Sequence, residues 1–370
     1  MPEYFIGLMS GTSLDGVDGV LADFSSAGPP RVLAHASRPF PAVLRAELLA
    51  LNSSGTDELQ RAALAGNALV RAYSQVVSEL LASAHLPPSA VTAIGAHGQT
   101  VRHRPQEFDG TGFTLQLNQP ALLAELSGID VIADFRSRDV AAGGQGAPLA
   151  PFFHQAMFAQ HDRAVGVLNI GGISNVTLLR ADGSILGFDC GPGNALMDGW
   201  TGKHQGKDYD SEGQWAAGGK VVAALLQGMR ADPYFGRMPP KSTGRDLFNQ
   251  PWLDKQLRGF QSTAAQDVQA TLAELTAAAC AADVLHHEPG LAHLIVCGGG
   301  ALNTHLMGRL QALLPRAAVT SSAESGLPPL QVEATAFAWL ARKTARREKL
   351  ELQSTTGARG ARVLGCIYPA

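Results

Sequence analysis

Asp189 is the residue whose setting best suits chemistry. It sits in GFDCGPGNALMD (residues 187–198), where an apolar run meets a Gly-Pro-Gly-Asn turn that leads into a helix. A carboxylate placed at a turn and partly withdrawn from water can serve as a general base. The plainer alternative is an aspartate satisfied by the N–H groups of its own turn. MSGTSLDGVD (residues 9–18) joins two glycines, three hydroxyls and two acids between apolar strands. Such a turn can point several N–H groups at a phosphate, with Ser10, Thr12 and Ser13 adding donors. Asp15 or Asp18 could hold a magnesium ion through water. NIGGISNVT (residues 169–177) repeats that chemistry in the second half, and CGGGALN (residues 297–303) offers thin backbone for a base or ribose to lie against. Gly/Ser/Asp turns are common, so each motif alone also reads as an ordinary turn.

Two segments offer contacts for a second ligand. GAHGQTVRHRP (residues 95–105) places His97, Gln99 and Thr100 at the carboxyl end of a strand, the usual ligand side of an α/β sheet. DFRSRDVAAGGQGAP (residues 134–148) packs Asp134, Arg136, Arg138 and Asp139 together ahead of a Gly-rich loop. Arg136 or Arg138 could grip an anion such as a sugar carboxylate in bidentate fashion. The bland alternative is a solvated charge run.

Those residues need elements to hold them. Residues 4–9, 17–24 and 31–36 read as an antiparallel meander. A helix follows over residues 57–84, with Thr56 as its cap and an apolar face that includes Leu69, Val76 and Leu80. Residues 91–96 and 129–133 read as strands, with a helix at 121–127 between them. The layout then recurs. Strands fall at 164–170, 174–179 and 184–188, helical material at 194–282, a strand at 291–297 and a helix at 301–314. A helix at 333–347 and an extended segment at 363–368 close the chain. A duplicated α/β unit predicts two lobes with a cleft between them. The expected division is 1–135, completed by about 345–370, and 136–344, with the nucleotide at the cleft.

Composition narrows the class. The chain has 370 residues, long for a single core, with 45% hydrophobic and 16% charged residues. Its net charge of −3 gives no basic excess to neutralise a nucleic-acid backbone. Cys190, Cys280, Cys297 and Cys366 form no CxxC pair, which argues against structural zinc or a disulfide framework. The N-terminus lacks a basic leader, and the sequence has no run of the roughly 20 apolar residues that a membrane span needs. A soluble, cytoplasmic protein is expected.

Taken in order, MSGTSLDGVD, AHGQT, DFRSRDVAAGGQGAP, NIGGISNVT, FDCGPGN, PPKSTGRD, CGGGALN and EATAFAWLA resemble the anhydro-N-acetylmuramic acid kinase family. VLGCIYP is similar to the family's C-terminus. The resemblance implies the actin/hexokinase fold, with duplicated ribonuclease H-like domains, and usually a homodimer. It implies conversion of ATP, 1,6-anhydro-N-acetylmuramic acid and water to N-acetylmuramic acid 6-phosphate and ADP, in recycling of cell-wall sugars. Asp189 then matches the catalytic aspartate. The ATP site would comprise Gly11, Thr12, Ser13, Leu14, Asp15, Gly16, Val17 and Asp18 of the first turn and Asn169, Gly171, Gly172, Gly191, Gly193, Asn194, Gly298, Gly299 and Gly300 of the second half. His97, Gln99, Thr100, Asp134, Arg136 and Glu333, which opens EATAFAWLA, would meet the sugar. Asp15 and Asp18 remain the magnesium candidates. Two positions depart from the family: Asn118-Gln119 stands where a Gly-Asp pair is usual, and FDC replaces FDT. The alternatives are a hexose kinase of the same fold, an actin-like or chaperone-like ATPase, and a non-catalytic sugar sensor. The last would show loss of the base or the phosphate turns, and neither is lost.

Overall fold

The computed structural model describes residues 2–370 apart from 12, 13, 27, 161, 245 and 246. In chain order come strands β1 (Tyr4–Met9), β2 (Gly16–Asp23) and β3 (Arg31–Pro39), helices α1 (Ala42–Ala50) and α2 (Glu58–Ala84), and strands β4 (Val91–Ala96), β5 (Gln99–Pro105) and β6 (Gly112–Leu117). Helix α3 (Pro120–Ser127), strand β7 (Val131–Ala133), and helices α4 (Ser137–Ala141) and α5 (Ala150–Phe158) follow. Next are β8 (Val165–Ile170), β9 (Ile173–Leu179), β10 (Ile185–Pro192), α6 (Ala195–Gln205), α7 (Gln214–Ala217), α8 (Ala223–Arg230), α9 (Gln250–Gln256) and α10 (Ala265–His287). The chain ends with β11 (His293–Cys297), α11 (Thr304–Leu313), β12 (Ala318–Ser321), α12 (Val332–Ala345) and β13 (Cys366–Tyr368).

The two large sheets share one plan. The first runs β13-β7-β4-β1-β2-β3 and the second β10-β9-β8-β11-β12. In each, three strands form an antiparallel meander and the first of them also pairs in parallel with the next strand of the sheet. A further parallel strand completes the pattern on both. This repeated strand order is the duplicated α/β unit expected from the sequence, and the fold is of the actin/hexokinase kind.

The chain divides into Met1–Met157 with Gln331–Ala370, and Phe158–Leu330. The crossovers therefore fall later at the first boundary and earlier at the second than the sequence reading placed them. Helix α12 explains the second shift, because it lies against β1 and β4 of the first unit. A Cβ on Gly7 would stand 1.9 Å from the Ala334 carbonyl oxygen, and one on Gly95 would stand 2.1 Å from that of Phe337. Glycine in the strands and alanine in the helix together permit that approach. Helix α2 covers the same unit's core with Leu69, Val70, Tyr73, Val76 and Leu80, all fully buried. Each such side chain contributes about 1.5–3 kcal/mol by burial. Thr56 does not cap α2. Asp57 takes a left-handed conformation with no side-chain cap bond, and Glu58 instead turns back to the Gly55 N–H.

In the second unit α10 is apolar nearly all round, as a core helix must be. It is also long and apolar enough to cross a membrane by length and composition, but most of it is buried among the unit's other elements. Cys190, Cys280 and Cys297 are buried and Cys366 is exposed, and none of the four is in a disulfide.

Candidate active site

In the first unit, β1 and β2 register Met9 against Asp18. Gly16, Val17 and Asp18 therefore belong to a strand, and the turn proper ends at Asp15. Val17 is fully buried in the core, so strand parity removes its side chain from any ligand. Leu14 closes the turn through its N–H to the Gly11 carbonyl at 3.2 Å, with φ +57°. Asp15 is exposed, and one of its oxygens accepts from the Gly16 N–H at 3.1 Å. Asp18 lies 3.6 Å from His35. Thr12 and Ser13 lie outside the described residues.

The end of β4 is bound to this turn. Ser10 Oγ donates to the Gly98 carbonyl at 3.0 Å and lies 2.7 Å from the Tyr73 hydroxyl. Gln99, fully buried, donates from Nε2 to the Gly11 carbonyl at 3.0 Å. Gln99 thus anchors the first turn, while Thr100 accepts from Gln116 across the β5–β6 hairpin. Asn118 also reaches this point, donating to the Ala96 carbonyl at 3.3 Å.

His97 and Arg136 pair at the centre of this region. Arg136 donates from Nε and one terminal nitrogen to His97 Nε2, at 3.2 and 3.0 Å. It also donates to the Gly146 carbonyl at 2.8 Å. A guanidinium only donates, so Nε2 is the accepting nitrogen and the imidazole is neutral. Burial, reinforced by the Arg136 charge, holds His97 down at about 3. Burial lowers Arg136 itself to about 10, against the opposing pull of Glu333 and Asp139. Asp139 is fully buried and accepts from the Gly146 N–H at 2.6 Å and from the Thr356 hydroxyl at 2.6 Å, which fixes the Gly-rich loop. Of the residues expected at the sugar, His97, Arg136 and Glu333 thus come together. Asp134 does not join them: it is exposed and accepts from the Ser137 N–H at 3.2 Å, at the start of α4. Arg138 is exposed as well.

In the second unit three Gly-rich turns converge. Gly171 and Gly172 form the β8–β9 turn. The Gly171 carbonyl accepts from the Asn194 N–H at 2.7 Å, and that of Gly172 accepts from Gly193 at 3.0 Å and Ala195 at 3.2 Å. Asn194 Nδ2 donates to the Ile170 carbonyl at 3.1 Å. Gly298 has φ +76°, and a Cβ there would lie 2.4 Å from Asn169 Oδ1, a buried oxygen with no hydrogen-bond partner among the described residues. A Cβ on Gly300 would lie 2.4 Å from Ile170. Asn169, Gly171, Gly172, Gly193, Asn194 and the 298–300 turn therefore gather at one end of β8 and β11, beside the N-terminus of α6, a favourable place for phosphate.

Asp189 lies within β10 rather than after it, at a break in register between Asp189 and Gly191. Its Oδ2 accepts from the Thr243 N–H at 3.0 Å, its N–H donates to the Lys241 carbonyl at 3.3 Å, and its carbonyl accepts from the Tyr234 hydroxyl at 2.7 Å. Oδ1 makes no hydrogen bond among the described residues. Burial raises the carboxyl to about 6, against the lowering effects of the Thr243 N–H and the Lys241 charge. The group is thus a carboxylate at neutral pH and basic enough to take a proton. Lys241, Thr243, Tyr234 and Asp283 were missed as site residues from sequence. PPKSTGRD was visible as a motif, but nothing in it pointed to Asp189.

A duplicated α/β unit with glycine turns at its strand ends and one basic carboxylate is the build of a phosphotransferase of the actin/hexokinase class. The sequence model of the anhydro-N-acetylmuramic acid kinase family matches residues 3–370, and the chain belongs to that family. The anhydro-N-acetylmuramic acid kinase of Variovorax paradoxus (strain S110) is 64% identical over 373 residues, covering 100% of this chain and 99% of that protein. The kinase of that name from Cupriavidus metallidurans is 56% identical over 372 residues, covering 99% and 98%. The family is one of ATP-using kinases that act on a small sugar.

Proposed function

We propose that this kinase opens the 1,6-anhydro ring of 1,6-anhydro-N-acetylmuramic acid with water and phosphorylates the freed 6-oxygen, in recycling of cell-wall sugars. The observation that carries the reading is Asp189, with one oxygen tied to a backbone N–H, the other without a hydrogen bond among the described residues, and its basicity raised by burial. Asp189 takes a proton from water as the water oxygen bonds to the anomeric carbon, on the face opposite the bridge. The bond from that carbon to the bridging oxygen breaks, and this oxygen attacks the γ-phosphorus of ATP, releasing ADP. An inverting glycosidase needs a separate acid for its leaving oxygen. Phosphoryl capture removes that need.

In the second unit the turns of Gly171–Gly172 and Gly298–Gly300, braced by the Gly193 and Asn194 N–H groups on the Gly172 and Gly171 carbonyls, hold the nucleotide, with Asn169 beside them. Magnesium fits only in part. No cluster of three or more His, Cys, Asp or Glu side chains suited to a metal occurs among the described residues. Asp15, whose exposed carboxylate among the described residues accepts only from the Gly16 N–H, suits a water-mediated ion that the phosphates chiefly hold. Asp18, beside His35, suits it less. When bound, the ion would neutralise charge on the phosphate oxygens. A cytoplasmic homodimer is the setting that the family resemblance suggests.

Arg136 is the group that takes the sugar's lactyl carboxylate. Arg136→Lys keeps a charge but loses the planar fork. It should raise KM for the anhydro sugar about 10–100-fold, with KM for ATP within about twofold. Any turnover of 1,6-anhydro-N-acetylglucosamine, which lacks the carboxylate, should fall much less, and steady-state kinetics with both sugars check this. The activity itself is tested by ADP release with magnesium-ATP and either 1,6-anhydro-N-acetylmuramic acid, N-acetylmuramic acid or glucose. Release specific to the anhydro sugar supports the reading; equal release with glucose favours a hexose kinase.

A further inference from the structure

The segment that holds Asp189 is itself held by a buried ion pair. Lys241 Nζ lies 2.9 and 3.0 Å from the two Asp283 oxygens, with the lysine side chain 1% and the aspartate 13% exposed. The ammonium also stands 5.3 Å from the ring centres of both Phe188 and Tyr234. Phe188 precedes Asp189, and Tyr234 donates to the Asp189 carbonyl. Taking two charges out of water costs several kcal/mol per ion, so replacing a buried pair by apolar groups is often neutral or stabilising. Stability alone is therefore a weak reason for this pair. Its location supplies a better one, because the lysine's own carbonyl and the N–H two residues on are two of the three hydrogen-bond partners of Asp189 outside its own sheet among the described residues.

We infer that the Lys241–Asp283 pair is the positioning element of Asp189: it clamps residues 241–243 to α10 so that one carboxylate oxygen is held and the other presented to the reacting water. The inference rests on the reading of Asp189 as base. Among the described residues, the ionisable groups around Asp189 are Tyr234 and Arg237 from the turn before the clamp, Lys241, Cys190, and Asp283 and His287 from α10. Of these, Lys241 supplies the positive charge that favours the ionised base. Burial pushes up both Cys190, which contacts Cys280, and Asp283, so the thiol and Tyr234 stay neutral at working pH.

The test uses the full chain and three variants, Lys241→Met, Lys241→Met/Asp283→Leu and Asp283→Asn. Tm, kcat, both KM values and the pH profile of kcat/KM are read. Lys241→Met leaves a buried unpaired carboxylate and should lower Tm, and the double variant should recover it. A merely structural pair would recover kcat with Tm. The clamp predicts otherwise: kcat in the double variant stays about 10–100-fold down. The acid limb of kcat/KM moves up by roughly one pH unit because the charge is gone, and KM for ATP stays within about twofold. If the double variant does not fold, Asp283→Asn decides. It touches neither Asp189 nor substrate, and a loose clamp should still cost kcat about tenfold. Wild-type kcat and an unmoved acid limb in whichever variant folds would overturn the inference. An Asp189→Asn control separates the two failures: if it is inactive while the pair variants behave as wild type, only the clamp is wrong, and if it is active, the base reading is wrong.

Discussion

Asp189→Asn should lose turnover by several decades and yet melt at a higher temperature at pH 7.5. The amide keeps an oxygen for the Thr243 N–H but cannot take a proton, so a water-activating step loses its base. The stability gain follows from the same burial that raises the carboxyl from 3.8 to about 6. The folded protein binds that proton more tightly than the unfolded chain, so the group costs nothing below pH about 4. The cost grows as pH rises to about 6 and is complete above it, at up to about 3 kcal/mol. Asparagine removes this cost, so Tm should rise by a few degrees at pH 7.5 and little at pH 4. Wild-type kcat/KM should climb about tenfold per pH unit below pH about 6 and level off above it. Thermal melts at the two pH values and a pH–rate profile check both halves. A variant that is inactive but less stable at pH 7.5 would mean that the carboxylate is held for structure.

Gly95→Ala should unfold much of the first unit. The added carbon would meet the Phe337 carbonyl at 2.1 Å and Ala341 Cβ at 2.9 Å. One obstacle is helix backbone, which has no rotamer to relax into. Either α12 moves off β4 or the strand bends, and we expect a loss of about 3 kcal/mol or more. Any folded fraction should also bind sugar poorly, because β4 ends just before His97 and Glu333 lies in the first turn of α12. Chemical denaturation with circular dichroism reads the first effect, and KM for the sugar the second. Near-wild-type stability would show that α12 is not seated on β4 as described.

The sequence carried the strands well where apolar runs end in glycine. Strands β1 and β4 fall where their residue patterns put them, and α2 starts within a residue. Helix α1 and the β5–β6 hairpin escaped notice. Gln99–Pro105 is rich in polar and basic residues, and its pairing to β6 gives it a strand's shape that its own composition does not. Motif membership gave no side-chain direction: Val17 lies in a strand and points inward, and Asp134 is exposed with one oxygen accepting from the Ser137 N–H. The surroundings of Asp189 were the least legible part. Thr243 lies 54 positions away in sequence and Asp283 reaches Lys241 across 42, and no local pattern encodes such a meeting. The departures from the family pattern became readable only in three dimensions: Asn118 ties its loop to the end of β4, and Cys190 is buried against Cys280 and Asp283.

The most direct test of the central claim is a single turnover in 18O-labelled water, quenched promptly, with mass spectrometry of the sugar phosphate and of any inorganic phosphate. Attack of Asp189-activated water on the anomeric carbon predicts one labelled oxygen in the N-acetylmuramic acid 6-phosphate and none in its phosphoryl group. An unlabelled sugar phosphate, or label confined to released phosphate, would mean that water does not open the ring, and the role assigned to Asp189 would be contradicted.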